Sequence, residues 1–445
     1  MDILGMLGLL ASLGLLIYLT MKGINIIVAA IISSVVVALT GGLNLETAMM
    51  DNYMSGFANY FGSWFFVFLL GAIFGKVMQE TKSAESIANW IKRTLGAKRA
   101  VFAVVAAAAI MTYGGVSLFV VGFAVYPIAV SLFRAADLPH RFIPAALVFG
   151  SISFTMTSPG SPEIQNIIPT EFFGTTPTAG GFIGLLSALL IMTAGGLWLG
   201  RTVKKASARG ETFSPPPSVP LKDESAAAVK KEANEAEKRK LPHIVLSILP
   251  LVLVIVLLNV LGQFMNPTTA LLIALTIGIA FACVSMWGYL AEFWNSLASG
   301  TQNALVALAN TCAVVGFGSV AAQVSAFDSL VEALVNMPGP PLLGLAIGVT
   351  LVCGITGSAS GGLGIALPIL APIYMAQGLD PGAMHRISAL GSGGIDSLPH
   401  NGYVVTTVRA ICGETHKRAY APIFVVSVII PSAVLLLAVF LYSIF

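Results

Sequence analysis

Long apolar stretches, interrupted by short polar ones, run along almost the whole chain. Apolar runs of roughly 20 residues are long enough to cross a bilayer core of about 30 Å as a helix. These runs fall near 2–20, 23–41, 58–80, 178–200, 243–263, 267–287, 299–322 and 420–442. The pattern predicts an all-α polytopic membrane protein.

Two pairs of shorter apolar arms are each joined by a glycine-rich tip. The first tip is Thr112–Ser117, and the second is Thr356–Gly362. The arms are 100–111 with 117–133, and 341–353 with 361–377. Each arm is shorter than a full crossing, so each pair predicts a re-entrant hairpin.

Two further apolar stretches contain polar and helix-breaking residues. The first is interrupted at Thr157–Glu163, and the second at Asp396–Gly402. Ionisable residues and broken helices at membrane depth are costly unless they form a site or line a wet cavity. We therefore expect each break to form half of a transport site.

The second half of the chain repeats the order of the first. Both hairpins, both breaks and several single residues match at a nearly constant offset. Matched residues 241 positions apart are Ser117 with Ser358, Pro127 with Pro368, and Gly150 with Gly391. The sequence thus predicts repeats at 1–200 and 243–445, joined by a polar linker at 201–242.

The distribution of charge supports burial in lipid. Hydrophobic residues make up 56% of the chain and charged residues 10%, against about 25% charged in soluble domains. Residues 201–240 alone hold ten of the 23 Lys and Arg and six of the 20 acids. The net charge of +3 lies in loops, so it does not indicate a nucleic-acid partner.

Basic residues also predict the orientation. Lys22, the Lys82–Arg99 cluster, Arg134, Arg141 and the linker should be cytoplasmic by the positive-inside rule. The sides agree if each half has about five transmembrane helices plus one hairpin. The two halves are then inverted, as in many secondary transporters, and both termini lie outside.

Other sequence signals limit the function. The chain has no Walker loop, HExxH, GxSxG or dinucleotide fingerprint, so we expect neither an enzyme nor a cofactor. The N-terminus reads as a first membrane helix and not as a signal peptide. The cysteines lack metal or CxxC spacing and are expected to be buried free thiols. They are Cys283, Cys312, Cys353 and Cys412.

The tips and breaks offer hydroxyls, close backbone approach and helix N-termini, which attract anions. Four such helix ends in one cavity could bind a small carboxylate. The alternative is that these small residues only allow close helix packing. The substrate-binding candidates are Thr112, Gly114, Gly115, Ser117, Thr157, Ser158, Ser161, Thr356, Ser358, Ser360, Gly361 and Asn401.

Proton coupling has three candidates, Asp396, His400 and Glu163. A carboxylate in apolar surroundings and an imidazole can both exchange a proton near neutral pH. The alternatives are a capping role for Asp396 and an outer-mouth position for Glu163. Two other groups are expected outside the site: Lys76 snorkels towards water, and the pair 385–386 lies at the surface.

The two tips, the run Ser151–Glu163 and the segment Leu398–Gly402 resemble the gluconate permease family, most closely its hydroxybutyrate permeases. The resemblance covers the chain except the linker. It implies the ion transporter superfamily, a homodimer with a moving domain, and small hydroxy-acid or sugar-acid substrates. Protons are the usual coupling ion of the family. Sodium-coupled relatives carry Ser-Asn-Thr tips, which are absent here.

The sequence and the resemblance together predict proton-coupled symport of a small monocarboxylate such as gluconate, hydroxybutyrate or lactate. The expected mechanism is elevator-type alternating access, and the expected location is the bacterial inner membrane. Sodium-coupled symport and cation/proton antiport are the alternatives within the superfamily. A membrane-embedded enzyme or a channel is the alternative from another class.

Overall fold

The computed structural model describes residues 3–22, 24–214, 241–290 and 292–445, and all regular secondary structure in them is helical. The first half contains α1 (Ile3–Met21), α2 (Ile26–Thr40), α3 (Met54–Glu80), α4 (Ser83–Leu95), α5 (Ala100–Tyr113), α6 (Leu118–Ala135), α7 (Ile143–Val148), α8 (Ile164–Phe173) and α9 (Gly181–Ala208). The second half contains α10 (Ile244–Leu261), α11 (Pro267–Ser285), α12 (Phe293–Ala321), α13 (Ser325–Val335), α14 (Pro341–Thr356), α15 (Ala359–Ala376), α16 (Pro381–Ser392), α17 (Gly402–Val405), α18 (His416–Phe424) and α19 (Ile430–Ile444).

Short π-helical segments extend several of these helices. They precede α3, continue α7 and α17, and join α18 to α19. Their bounds are Thr47–Tyr53, Phe149–Ser153, Thr406–Ile411 and Val425–Ile429. Both predicted breaks are non-helical, one between Ser153 and α8 and the other between α16 and α17. The predicted broken spans are therefore confirmed as helix interruptions.

Eight helical segments of the described residues are long and apolar enough to cross a bilayer, and the bent pair α4–α5 would be a ninth. The predicted polytopic all-α class is confirmed. The length argument for the hairpins is wrong for their second arms, because α6 and α15 each have 18 residues and pass the same test. The helix α2, with 15 residues, is shorter than these spans.

Helices of the two halves begin at matching positions. The starts of α10, α11, α14 and α15 each lie 241 residues after those of α1, α2, α5 and α6. Contacts match as well: α12 packs on both α2 and α3, and α3 packs on both α11 and α12. This correspondence supports the predicted repeat, while the inversion of the two halves stays a prediction.

The helices α1–α3 and α10–α12 pack together, and we call this group the scaffold. Glycines allow close approach between its central helices, as expected in membrane helix packing. A Cβ on Gly56 would lie 2.0 Å from the Ser319 hydroxyl, and one on Gly300 would lie 3.2 Å from the Ile73 backbone. All four cysteines are buried and free, as predicted.

Polar residues near the ends of the membrane spans pair across the two halves of the chain. At one end, His140 Nδ1 is 2.9 Å from Glu414 Oε1, and Arg418 lies 3.6 Å from the same carboxylate. At the other end, the Thr268 hydroxyl donates to Glu171. The two ends are thus internally consistent, and the assignment of the first end to the cytoplasm stays a prediction.

The first residues of the predicted linker pack against the end of the helices where Arg141 lies. The helix α9 continues eight residues past the predicted linker start. Arg141 then forms two hydrogen bonds with Glu211, of 2.7 and 2.8 Å, which hold the pKa of that carboxyl below its ordinary value. The backbone N–H of Phe213 donates to Asp137. Residues 215–240 of the linker lie outside the described residues.

Candidate functional site

A cavity of about 740 Å³ lies where the scaffold meets the hairpin tips and the breaks. This volume suits a small-molecule site. The starts of four helices line it, namely those of α6, α8, α15 and α17. Two of these starts follow hairpin tips, and two follow breaks. Both tips and both breaks therefore lie at one cavity.

The second tip is held against the second break. Ser358 caps α15, its hydroxyl accepting the Gly361 N–H at 3.2 Å. Gly357 has a φ of +58°, and a Cβ there would lie 2.5 Å from His400 Cδ2. Only glycine fits both the left-handed backbone and the ring beside it.

Asn401 ties this tip to its break. Its side-chain amide donates to the carbonyls of Gly357, at 3.0 Å, and Asp396, at 3.1 Å. Its Oδ1 accepts the Val404 N–H at 2.9 Å, so the same side chain caps α17. With every atom of the amide in use, Asn401 positions the wall of the cavity that it also lines.

The first tip meets the first break less tightly. A Cβ on Gly115, which has a φ of +88°, would lie 3.3 Å from Pro162 Cγ. Ser117 occupies the N-cap position of α6 but makes no capping bond. Ser161 followed by Pro162 is a pattern typical of a helix start, but α8 begins only after Glu163. The Ser161 hydroxyl instead accepts the Glu163 N–H at 3.3 Å within the break.

Three coupling candidates line the cavity, and they differ in environment. Asp396 and His400 are 6% and 5% exposed. The backbone N–H of Ser397 faces the Asp396 carboxylate. Glu163 is half-buried, and no hydrogen bond or ion pair of its carboxylate is found within the described residues. Two carboxylates from different halves thus face one cavity.

With this geometry in place, comparison with known proteins assigns the chain. The sequence model for the GntP family permease matches residues 4–444. The chain belongs to the GntP permease family. The resemblance predicted from the tips and breaks is confirmed, and so is the coarser expectation of a membrane permease.

Relatives of this GntP permease agree with that class. It is 38% identical over 463 residues to the "Uncharacterized transporter YxjC" of Bacillus subtilis (strain 168), covering 96% of each chain. It is 25% identical to an "Uncharacterized permease" of Haemophilus influenzae (strain ATCC 51907 / DSM 11121 / KW20 / Rd), covering 82% of this chain and 78% of that one. The crystal structure of the Alcanivorax borkumensis YdaH transporter matches with a TM-score of 0.53 and 17% identity, over 90% of this chain and 88% of that one. That likeness shows the fold alone.

Of the fifteen predicted site residues of this permease, the cavity brings together eight. They are Gly115, Ser117, Glu163, Ser358, Ser360, Asp396, His400 and Asn401. Residues that lie off the cavity are Thr112, Gly114, Thr157, Ser158, Ser161, Thr356 and Gly361. Direct substrate contact is not supported for this second group.

Local hydrogen bonds explain why several hydroxyls miss the cavity. The hydroxyls of Thr157 and Ser158 donate to carbonyls four residues earlier. The Thr356 hydroxyl donates to the carbonyls of Cys353 and Ser358, both at 3.1 Å. Ser and Thr commonly bond back to the preceding turn in this way. These side chains therefore shape the tips and breaks and do not line the cavity.

The expected surface position of His385 and Arg386 is wrong, since both are fully buried on α16. Arg386 donates to the carbonyls of Thr157, Pro177 and Ala179, the last at 2.7 Å. A buried cation needs such partners to offset its lost hydration. Arg386 thus holds the first break in place from the second half.

Scaffold residues that the sequence reasoning missed also line the cavity. Lys76 and Gln79 come from α3, and Asn303 and Asn310 come from α12. The sequence predicts that Lys76 snorkels away from the site, and none of the three amides is among the predicted site residues. Their spacings of three and seven residues place each pair on one helix face, which is the only signal that could have found them.

Proposed function

We propose that this permease carries a small organic monocarboxylate, such as gluconate, hydroxybutyrate or lactate, together with a proton. The observation that carries the proposal is the convergence of four helix starts on one cavity. Helix N-termini present free N–H groups and the positive end of the helix dipole. Such ends bind carboxylates without a dedicated arginine.

The substrate contacts proposed here are those that line the cavity. Ser117, Ser358 and Ser360 supply hydroxyls beside the starts of α6 and α15. Hydroxyl groups can both donate and accept, which suits a hydroxy acid or sugar acid. Asn401 positions the second tip, since its amide is fully used within the protein.

The coupling proposed here uses Asp396, with His400 beside the same tip and Glu163 in the other break. Ionisable residues inside membrane proteins commonly mark proton pathways. Asp396 is the best placed of the three because Asn401 binds its backbone carbonyl and so links it to the tip that carries Ser358. We call the proposed substrate contacts Ser117, Ser358 and Ser360 the substrate seat. Protonation of Asp396 would therefore act on this seat through the tip that carries Ser358.

The residues that line the cavity also support alternating access. They indicate that the cavity is open towards one side of the membrane in this conformation. Thr20, Ile26, Lys76 and Gln79 line the cavity, and all lie at helix ends next to predicted cytoplasmic loops. Their counterparts 241 residues later, at 261, 267, 317 and 320, are not in the lining. With the predicted orientation, this conformation is open to the cytoplasm.

The two hairpins also indicate a cavity that is open at one side, because α6 lines the cavity deeply and α15 is packed against the scaffold. On the first, Phe123 lies more than a turn into α6 and still lines the cavity. On the second, α15 packs on the scaffold, with Gly364 against the Tyr60 ring and Ile365 against Gly318. We infer that the α15 contact closes the outer side and opens when the moving part shifts.

A cysteine pair at 318 and 365 is expected to lock the carrier. A Cβ on Gly318 would lie 2.9 Å from Ile365 Cγ2, so the two Cβ atoms fall within about 4.5 Å, the range of a disulfide. Oxidation of Gly318→Cys/Ile365→Cys should abolish uptake in proteoliposomes, and reduction should restore it. Each single variant serves as a control. Full uptake by the cross-linked protein would contradict movement at this contact.

The substrate and coupling ion are tested by uptake into proteoliposomes. We expect a pH gradient, acid outside, to drive accumulation of gluconate, lactate or 3-hydroxybutyrate in sodium-free buffer, with citrate as the comparison. Accumulation that needs sodium would show that sodium, and not the proton, is the coupling ion. Cation movement against protons with no acid transported would identify an antiporter. The proposed homodimer is tested on the same preparation by its mass in detergent.

A further inference from the structure

The scaffold wall of the cavity carries its own polar residues. We define the polar track as Lys76, Gln79, Asn303 and Asn310, which all line the cavity from α3 and α12. The hairpin tips and breaks, which hold the proposed substrate seat, contribute none of them. The scaffold therefore offers polar groups to anything inside the cavity, separately from that seat.

Lys76 is the unusual member of the track. It is half-buried, and its Nζ donates to Gln79 Oε1 at 3.2 Å. Within the described residues it forms no ion pair, and Glu80, one turn further along α3, is not in the cavity lining. It is also the one Lys or Arg side chain in that lining. A partly desolvated ammonium without a carboxylate is unfavourable unless an anion visits it.

The asparagines extend the track along α12. Asn303 and Asn310 are seven residues apart, so they lie on one face of the helix. Asn303 is exposed to the cavity and Asn310 is half-buried. Neither side chain has a hydrogen bond to another described residue, so both amides can donate to a ligand. Carboxylate and hydroxyl oxygens are the acceptors that such a row of donors suits.

We propose that the polar track is a second, weaker anion site, anchored by Lys76 and distinct from the seat at the tips. It takes the carboxylate of the same small hydroxy acids as they pass between the cytoplasmic opening and the seat. The proposal rests on the proposed function for the identity of that anion. The positive electrostatic potential that Lys76 produces in the cavity does not depend on the proposed function.

The field is tested with a reporter cysteine at Val306, which lines the cavity outside the track. Rates of modification are measured for the anionic sulfonatoethyl and cationic trimethylammonium-ethyl methanethiosulfonates. Lys76→Gln should lower the anionic-to-cationic rate ratio about fivefold at low salt, because one unit charge about 8 Å away in water changes the two rates by about twofold each, in opposite directions. Lys76→Arg should retain the ratio. Protein without the reporter gives the background, because the native cysteines are buried.

Lys98→Gln is the matched control, since Lys98 is exposed and not part of the cavity; it should leave the ratio unchanged. With Lys76 intact, the ratio should also fall as salt rises, because exposed charges are screened. An equal ratio in Lys76→Gln, or no salt dependence, would overturn the proposal and return Lys76 to a snorkelling role. Uptake measurements separate the two ideas: failure to transport any acid sinks the proposed function, whereas an unchanged ratio sinks only the polar track.

Discussion

Asp396→Asn is expected to abolish proton-driven accumulation while substrate exchange across the membrane continues. Asparagine has nearly the shape of a protonated aspartic acid but cannot release a proton. The proposed seat is therefore kept, and the cycle loses its link to the pH gradient. In proteoliposomes, internal substrate should rise only to the external concentration, and counterflow of labelled against unlabelled acid should stay within about twofold of wild type.

Two variants make this result specific. Asp51→Asn changes an exposed carboxylate on the π-helical segment before α3 and should leave accumulation intact. Glu163→Gln tests the carboxylate of the other break. If Asp396→Asn still accumulates substrate and Glu163→Gln does not, the coupling residue lies in the first half and our assignment is wrong.

Gly357→Ala is expected to reduce transport by about tenfold or more, because two costs combine at this position. An alanine at φ +58° pays the left-handed backbone penalty of about 1–2 kcal/mol. Its Cβ would also lie 2.5 Å from His400 Cδ2 and 2.7 Å from His400 Nε2, so the imidazole or the tip must move. Small displacements of positioned groups are enough to lose most of a site's activity.

Gly174→Ala separates these two costs. Gly174 ends α8 with a φ of +63°, and a Cβ there would meet nothing within 4 Å. It should lower the melting temperature of the purified protein slightly and leave initial uptake rates near wild type. Equal uptake by Gly357→Ala and Gly174→Ala would show that contact between the tip and His400 is not needed for transport.

The hairpins could be placed from the sequence because their ends depend on local chemistry. The first arms were predicted to begin at 100 and 341, and α5 and α14 do begin there. Glycine at Gly114 and Gly357 ends both of these arms. Such signals lie within a few residues of the structure they specify, so a single sequence is enough to read them.

The burial of Arg386 and its hydrogen-bond partners could not be predicted from local sequence signals. Its acceptors at 157, 177 and 179 lie more than 200 residues earlier in the chain. Locally, Asp380 caps the helix start at Pro381, and the same pattern begins many surface helices. Burial of a charge depends on distant partners, which local patterns do not reveal.

Choosing among hydroxyls failed for a related reason. Ser358 and Thr356 are two residues apart on the same tip, yet one lines the cavity and the other bonds to carbonyls of its own tip. The side-chain rotamer and the path of the backbone decide between these outcomes. Residue type and spacing predicted which segments line the cavity, but not which member of each cluster faces it.

Arg386 has a consequence for how such a carrier could have arisen. A simple route to a repeated protein begins with one short chain that paired with a copy of itself and was later joined by gene duplication. In that ancestor every contact between copies would occur twice. The position 241 residues before Arg386 is Ala145, which is buried and apolar. The first half therefore has no counterpart of the Arg386 hydrogen bonds. Two copies of the first half would therefore lack the arginine, and two copies of the second half would lack the carbonyls of Thr157, Pro177 and Ala179 that accept from it.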